Sequence, residues 1–134
     1  MTVSFYRALH LINAHIVQKT TKNYLSHSQV SHAINPFNPL SVSKVDEETY
    51  LSYTKLFQLS RRARYLLNEN FDNTSAVDIQ PACVTYSKHF KKTVHHLNKI
   101  MDFMTTQHGT SFVKRSLKCI DLNNQTFTYF TIIQ

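Results

Sequence analysis

The hydrophobic residues recur at helical spacing in three separate stretches of the chain. The first lies within residues 3–25 and steps by four, three and four along Phe5, Leu9, Ile12 and Ile16. Residues at this spacing share one face of an α-helix, and an apolar face of this width is typical of a helix packed on a core. The first stretch therefore predicts an amphipathic helix.

The second stretch opens with a helix start signal. Residues 43–46 supply an N-cap that leads into Glu47 and Glu48, and acids in a first turn stabilise the positive end of the helix dipole. The apolar stripe of this stretch comprises Tyr53, Leu56, Leu59, Ala63 and Leu66. We expect a second helix that ends near Asn70, before the polar segment 71–75.

The third stretch carries the longest apolar repeat. Its positions step by seven, four, three, four and three, an a/d heptad pattern, along Cys83, Phe90, Val94, Leu97, Met101 and Met104. Pro81 suits a first helical turn, and Gly109, the only glycine, stands where a C-cap glycine is expected. The pattern predicts a third helix between them. Because its apolar face is wider than one neighbour covers, we expect a homodimer through the seam of Phe90, Val94, Leu97, Met101 and Met104.

The connection between the first two helices is expected to be ordered. Residues 26–45 are rich in serine and contain two Asn-Pro pairs, which favour turns. The same segment keeps Val30, Ile34 and other large apolar residues that a free linker would not need, and a short helical turn is predicted at Gln29–Ile34. We interpret residues 1–134 as a single domain, since one core is the rule at this length.

The last part of the chain changes to a two-residue period. Residues 110–134 are rich in β-branched and aromatic side chains, and residues 126–129 alternate. Asn123 and Asn124 lie between two such runs and suit a tight turn. The tail predicts a β-hairpin, with a helix over 111–120 as the alternative. The expected fold is mainly α, a small three-helix bundle with a C-terminal β-hairpin, and an α+β fold is the second choice.

Composition narrows the chemistry that the chain can perform. A single glycine excludes the glycine-rich loops that cradle phosphates in nucleotide-binding enzymes. Cys83 and Cys119 are too few for a disulfide scaffold and indicate a reducing, intracellular location. His89 and His96 lie seven residues apart, too far along a helix to share a metal ion, and are expected on a solvated face. No metal, cofactor or catalytic set is predicted, and no apolar run is long enough to span a membrane.

Net charge gives the strongest functional indication. The chain carries a formal charge of +7, and residues 79–118 contain seven cations and a single acid. The third predicted helix presents a face of four lysines and a histidine, and the second adds three arginines near its end. The expected nucleic-acid-binding residues are Lys88, Lys91, Lys92, His95, Lys99, Arg61, Arg62 and Arg64. Contact with phosphates would use this excess of cations.

The sequence thus predicts a small basic intracellular binding protein without catalysis, whose first candidate partner is nucleic acid held through its phosphates. The alternative is a protein-interaction or assembly factor whose basic surface meets an acidic protein partner. An enzyme of unknown class is the third choice. The scarcity of glycine and the many serine, threonine, asparagine and lysine residues are also common among phage and virus accessory proteins.

Overall fold

Helices precede a short sheet in the computed structural model, which describes residues 1–65 and 82–133. The elements are α1 (Thr2–Thr20), α2 (His27–Ile34), α3 (Glu47–Tyr65), α4 (Ala82–His108), β1 (Arg115–Lys118), a 3-10 helix (Ile120–Leu122) and β2 (Phe130–Ile133). The predicted class, mainly α with a small β element at the C-terminus, is confirmed.

The main core lies between α1, α3 and α4, as the three apolar stripes predict. Its buried side chains include Phe5, Ile12 and Ile16 of α1, Tyr53 and Leu56 of α3, and Leu97, Ile100 and Met104 of α4. Burial of each large apolar side chain stabilises the fold by about 1.5–3 kcal/mol. The helical periods of the sequence therefore correspond to the faces that the fold removes from water.

The segment predicted as a connecting loop contains a helix of its own, α2. Ser26 caps this helix in a reciprocal capping box, in which its hydroxyl accepts from the Gln29 N–H and the Gln29 side chain accepts from the Ser26 N–H. Val30 and Ile34 are buried against the core. The segment is ordered as expected, but the described chain forms four helices rather than three, since a capped two-turn helix replaces the single helical turn.

Local side-chain and backbone features set the ends of the longer helices. Asp46 begins α3, because its carboxylate accepts the N–H and the hydroxyl of Thr49, at 2.8 and 2.7 Å. Gly109 ends α4 with a φ of +63° and donates its N–H to the Thr105 carbonyl at 2.9 Å, as a C-cap glycine should. The predictions that lie outside the described residues concern Leu66, the helix end near Asn70, Pro81 and the side chain of Cys83.

The two C-terminal strands pair in parallel rather than as an antiparallel hairpin. Arg115 lies opposite Phe130 and Lys118 lies opposite Ile133, so both strands run in the same direction. Parallel strands cannot be joined by a tight turn. The chain therefore returns through a crossover that contains the 3-10 helix and Asn124, whose φ of +75° serves the crossover instead of a hairpin.

Contacts with α4 explain why the tail takes this path. Leu122 and Phe127 of the crossover are buried against Val94 in a second, smaller hydrophobic cluster. The side-chain carbonyl of Asn98 on α4 accepts the backbone N–H groups of residues 128 and 129, at 3.0 and 3.3 Å. These contacts hold the end of the crossover on α4.

The apolar seam of α4 belongs to the core of one molecule. Val94, Leu97, Met101 and Met104 are buried within the described chain, and Phe90 packs partly buried against the second cluster. A second copy could reach these side chains only if the bundle opened. Because α1, α3 and the crossover cover the seam, this packing gives no support to a homodimer through Phe90, Val94, Leu97, Met101 and Met104, which stays a prediction.

Candidate nucleic-acid interface

The exposed side of α4 presents cations at helical spacing. Lys88, Lys92 and His95 are exposed and lie four and three residues apart, so they share one face of the helix. Lys91 is half-buried beside them. Like charges four residues apart on a helix repel each other and destabilise the helix by a few tenths of a kcal/mol. A Glu–Lys pair at the same spacing would stabilise it by a similar amount. The face therefore carries an excess of positive charge at a small cost in helix stability.

The antiparallel packing of α3 on α4 adds an arginine to the same place. Arg62, Lys92 and Lys88 all lie close enough to His89 to lower the pKa of its imidazole, together with burial, which is the largest cause. His89 is half-buried beneath these side chains and not on a solvated face as expected. Arg62 of α3 therefore lies near the same imidazole as Lys88 and Lys92 of α4.

The other predicted arginines differ in position. The guanidinium of Arg61 lies 5.7 Å above the ring of Phe57, which stacks on His27, and the positive charge of Arg61 contributes to lowering the pKa of His27. Arg61 therefore lies toward α2, whereas Arg62 lies toward α4, since neighbouring residues on a helix diverge by about 100°. Arg64 is exposed near the end of the described part of α3. The structure thus brings one member of the arginine cluster into the lysine region.

Lys99 is engaged in a different contact. Its ammonium lies 2.8 Å from the Glu48 carboxylate of α3, and this hydrogen bond and charge raise the pKa of Lys99. The sequence indicates Glu48 only as a first-turn acid and carries no sign that it faces α4. We therefore define the basic surface as Arg62, Lys88, Lys91, Lys92 and His95, with Lys99 at its neutralised end.

The C-terminal crossover provides a second wall for this surface. Lys91, Lys92 and His95 line one side of a groove of about 340 Å³, and Gln125, Thr126 and Phe127 line the other. Phe127 is almost fully buried, so it shapes the groove without offering a ring for base stacking. Gln125 and Thr126 place hydrogen-bonding groups opposite the lysines. Sequence reasoning missed these two residues, because nothing in their local pattern indicates that the tail folds back onto α4.

A second cavity lies at the other end of the α3–α4 contact. It has a volume of about 430 Å³ and is lined by Glu47, Glu48, Leu51, Ser52, His95 and His96. His96 Nδ1 and Ser52 Oγ are 3.2 Å apart, and burial, with nearby positive charges, lowers the pKa of His96 to about 4. This contact joins α3 to α4.

The described residues form neither a metal-binding cluster nor a membrane-spanning helix. Within residues 1–65 and 82–133, no three His, Cys, Asp or Glu side chains are placed to hold a metal ion together. None of the helices in these ranges has the length and apolar character that crossing a bilayer requires.

The described surface is a set of cations and amide and hydroxyl groups on two helices and a crossover. Such groups can attract a polyanion, neutralise part of its charge and donate hydrogen bonds to its oxygens. Comparison of this chain with protein-family models, with curated proteins and with solved structures finds no match.

Proposed function

We propose that the protein binds nucleic acid through backbone phosphates, which lie along the basic surface of α3 and α4. The observation that carries this proposal is the face of α4 on which Lys88, Lys92 and His95 are exposed together, with Arg62 of α3 beside it. Cations from two helices that meet in one place match the spaced charges of a phosphate backbone better than an isolated lysine does. The groove beside Lys91 and Lys92 extends the same surface toward the crossover.

The proposal places the protein inside the cell. Nucleic acid is available there, and a thiol such as that of Cys119, which is free in the structure, stays reduced in that environment. Binding would be weakly dependent on base sequence, because lysine and arginine contacts to phosphates fix position without distinguishing the bases.

Fluorescence anisotropy with labelled duplex and single-stranded oligonucleotides tests the proposal directly. Each phosphate that a cation neutralises contributes about −0.9 to the slope of log K against log salt concentration for duplex DNA. Three or four engaged cations give a slope of about −3, with similar affinities for unrelated sequences. An absence of binding at low salt to either kind of probe would refute the proposal.

A pair of charge-reversal variants separates this surface from the general excess of positive charge. Lys88→Glu with Lys92→Glu should weaken binding to every sequence alike and reduce the salt slope by about 2. The matched control is Lys22→Glu with Lys44→Glu, which makes the same change in net charge at exposed lysines on either side of α2. If both double variants weaken binding equally, the attraction is a property of net charge and not of the basic surface.

A further inference from the structure

The outer edge of β1 has no partner strand among the described residues. Alternate residues of β1 bond to β2, as the Arg115 and Cys119 N–H groups do with the carbonyls of residues 129 and 133. The N–H and C=O groups of Ser116 and Lys118 therefore point to the opposite side. Both residues are exposed, and no described residue bonds to their backbone groups. This edge is a free template for another extended chain.

Two large apolar side chains near the edge of β1 are exposed to water. Val113 and Ile120, two residues before and two residues after β1, are 74% and 79% exposed. Parallel sheets are normally buried and contain more than two strands, because an isolated pair is only marginally stable. An additional strand would complete the sheet and would also contact Val113.

Charge identifies the kind of strand that fits. Lys114, Arg115 and Lys118 lie in or beside β1 and are all exposed, whereas the strand itself contains no acid. A second copy of this chain, paired through the same edge, would bring these three cations against three more, and the chains already carry +7 each. Repulsion between directly opposed like charges opposes that pairing.

We propose that an extended acidic peptide of a partner protein adds to the β1 edge as a third strand. Its backbone bonds to Ser116 and Lys118, its carboxylates meet Lys114 and Lys118 on one face of the strand, and its apolar residues cover Val113 on the other face. Peptides that add to a sheet edge gain affinity from main-chain hydrogen bonds and specificity from side chains at alternate positions. This site is separate from the basic surface of α3 and α4 and does not depend on nucleic-acid binding.

The test uses a labelled peptide of about eight residues in which glutamate alternates with valine, with fluorescence anisotropy as the readout. The full chain should bind this peptide, and it should not bind the same peptide with lysine in place of glutamate. N-methylation of alternate peptide amides on the bonding edge should abolish binding, since it removes the donors without changing the charge. Equal binding of the methylated peptide would overturn the strand-addition proposal.

Two variants of one residue isolate the protein's side of the contact. Ser116→Pro removes the outward N–H and leaves the bonds to β2 intact, because proline is tolerated at outward-facing positions of an edge strand. Ser116→Ala removes only the hydroxyl. We expect peptide binding to weaken about tenfold in Ser116→Pro and to be unchanged in Ser116→Ala. Equal affinities for the two variants would contradict the proposal.

Two further measurements keep the test decisive if Ser116→Pro does not fold. Amide hydrogen exchange of the unaltered chain should slow at Ser116 and Lys118 when the peptide is added, and unchanged exchange would overturn the proposal. Light scattering shows whether a second copy of the chain occupies the edge instead. A dimer that persists when the peptide is added, and that becomes more stable in the Lys118→Glu variant, would assign the edge to a second copy. An oligonucleotide could also compete with the peptide. If it displaces the peptide and binds the Ser116→Pro and Ser116→Ala variants equally, the lysine and arginine side chains beside β1 contact phosphates instead.

Discussion

Acid should destabilise this protein through a histidine that it buries completely. His15 of α1 has no exposed surface, and its Nδ1 lies 2.8 Å from Nε2 of His108 at the end of α4. Burial, followed by the charges of Lys19 and His108, lowers the pKa of His15 from 6.5 to about 4, although the backbone of Ser43 acts in the opposite direction. The folded protein thus holds His15 neutral at a pH where the unfolded chain carries it charged.

The sign and size of the effect follow from this difference. Between pH 6.5 and about 4 the unfolded chain binds a proton at His15 that the folded protein does not bind, so the free energy of unfolding falls as the pH falls through this range. Each tenfold change in the acid dissociation constant corresponds to about 1.4 kcal/mol, which makes His15 responsible for a loss of about 3 kcal/mol. That amount is a large fraction of the stability of a typical domain.

Urea denaturation at a series of pH values measures this loss, with His15→Leu as the variant that cannot titrate. His27 and His96, whose pKa values burial also lowers to about 4, contribute equally to both proteins. The difference between the two curves therefore isolates His15. The drop in unfolding free energy between pH 7 and pH 4 should be about 3 kcal/mol smaller in His15→Leu, whatever its stability at pH 7.

An exposed histidine on the same helix provides the control. His10 projects into water from α1, so His10→Gln should leave the pH dependence as it is in the unaltered protein. If the curves of His15→Leu and the unaltered protein run parallel from pH 7 to pH 4, the buried pair with His108 does not hold His15 neutral, and the reasoning fails.

Two substitutions examine how helix α4 is joined to the C-terminal tail. Asn98→Ala leaves two backbone N–H groups of the tail without their acceptor, so unfolding free energy should fall by about 2 kcal/mol, and amide exchange in β2 should accelerate more than in α1. Unchanged exchange in β2 would show that the strand docks without Asn98. In Gly109→Ala the added Cβ meets no atom within 4 Å, but alanine must adopt a φ of +63°. We therefore expect thermal denaturation to show a loss of about 1 kcal/mol in unfolding free energy. An unchanged stability would show that this φ does not strain alanine.

The helices could be predicted from the sequence because their signals are local. The apolar stripes of α1, α3 and α4 and the cap at Gly109 depend on residues within a few turns of each other. The direction of β2 was not predictable in the same way, since it depends on Asn98, about thirty residues earlier in the chain. The seam of α4 showed a similar limit: its period indicated burial, but not that the burial occurs within one molecule.

The candidate site likewise has a part that local sequence signals predict and a part that depends on tertiary contacts. The lysine face of α4 follows from helical spacing alone, whereas the joining of Arg62 to that face requires the packing of α3. Gln125 and Thr126 could not be assigned to the groove without the crossover. The burial of His15 had a weak signal, since it lies between Ile12 and Ile16 on the apolar stripe, but its contact with His108 is a matter of tertiary structure.

The distances along the chain that these contacts span bear on how the molecule assembles. Asn98 and Thr128 are 30 residues apart, whereas His15 and His108 are 93 residues apart. Because the entropy lost on closing a loop grows with the logarithm of its length, joining α1 to α4 costs about 1 kcal/mol more than docking the tail on α4. The tail can therefore dock on α4 at a smaller entropic cost than α1 does. Protonation of His15 acts on the contact of longer range, the one that joins α1 to the end of α4.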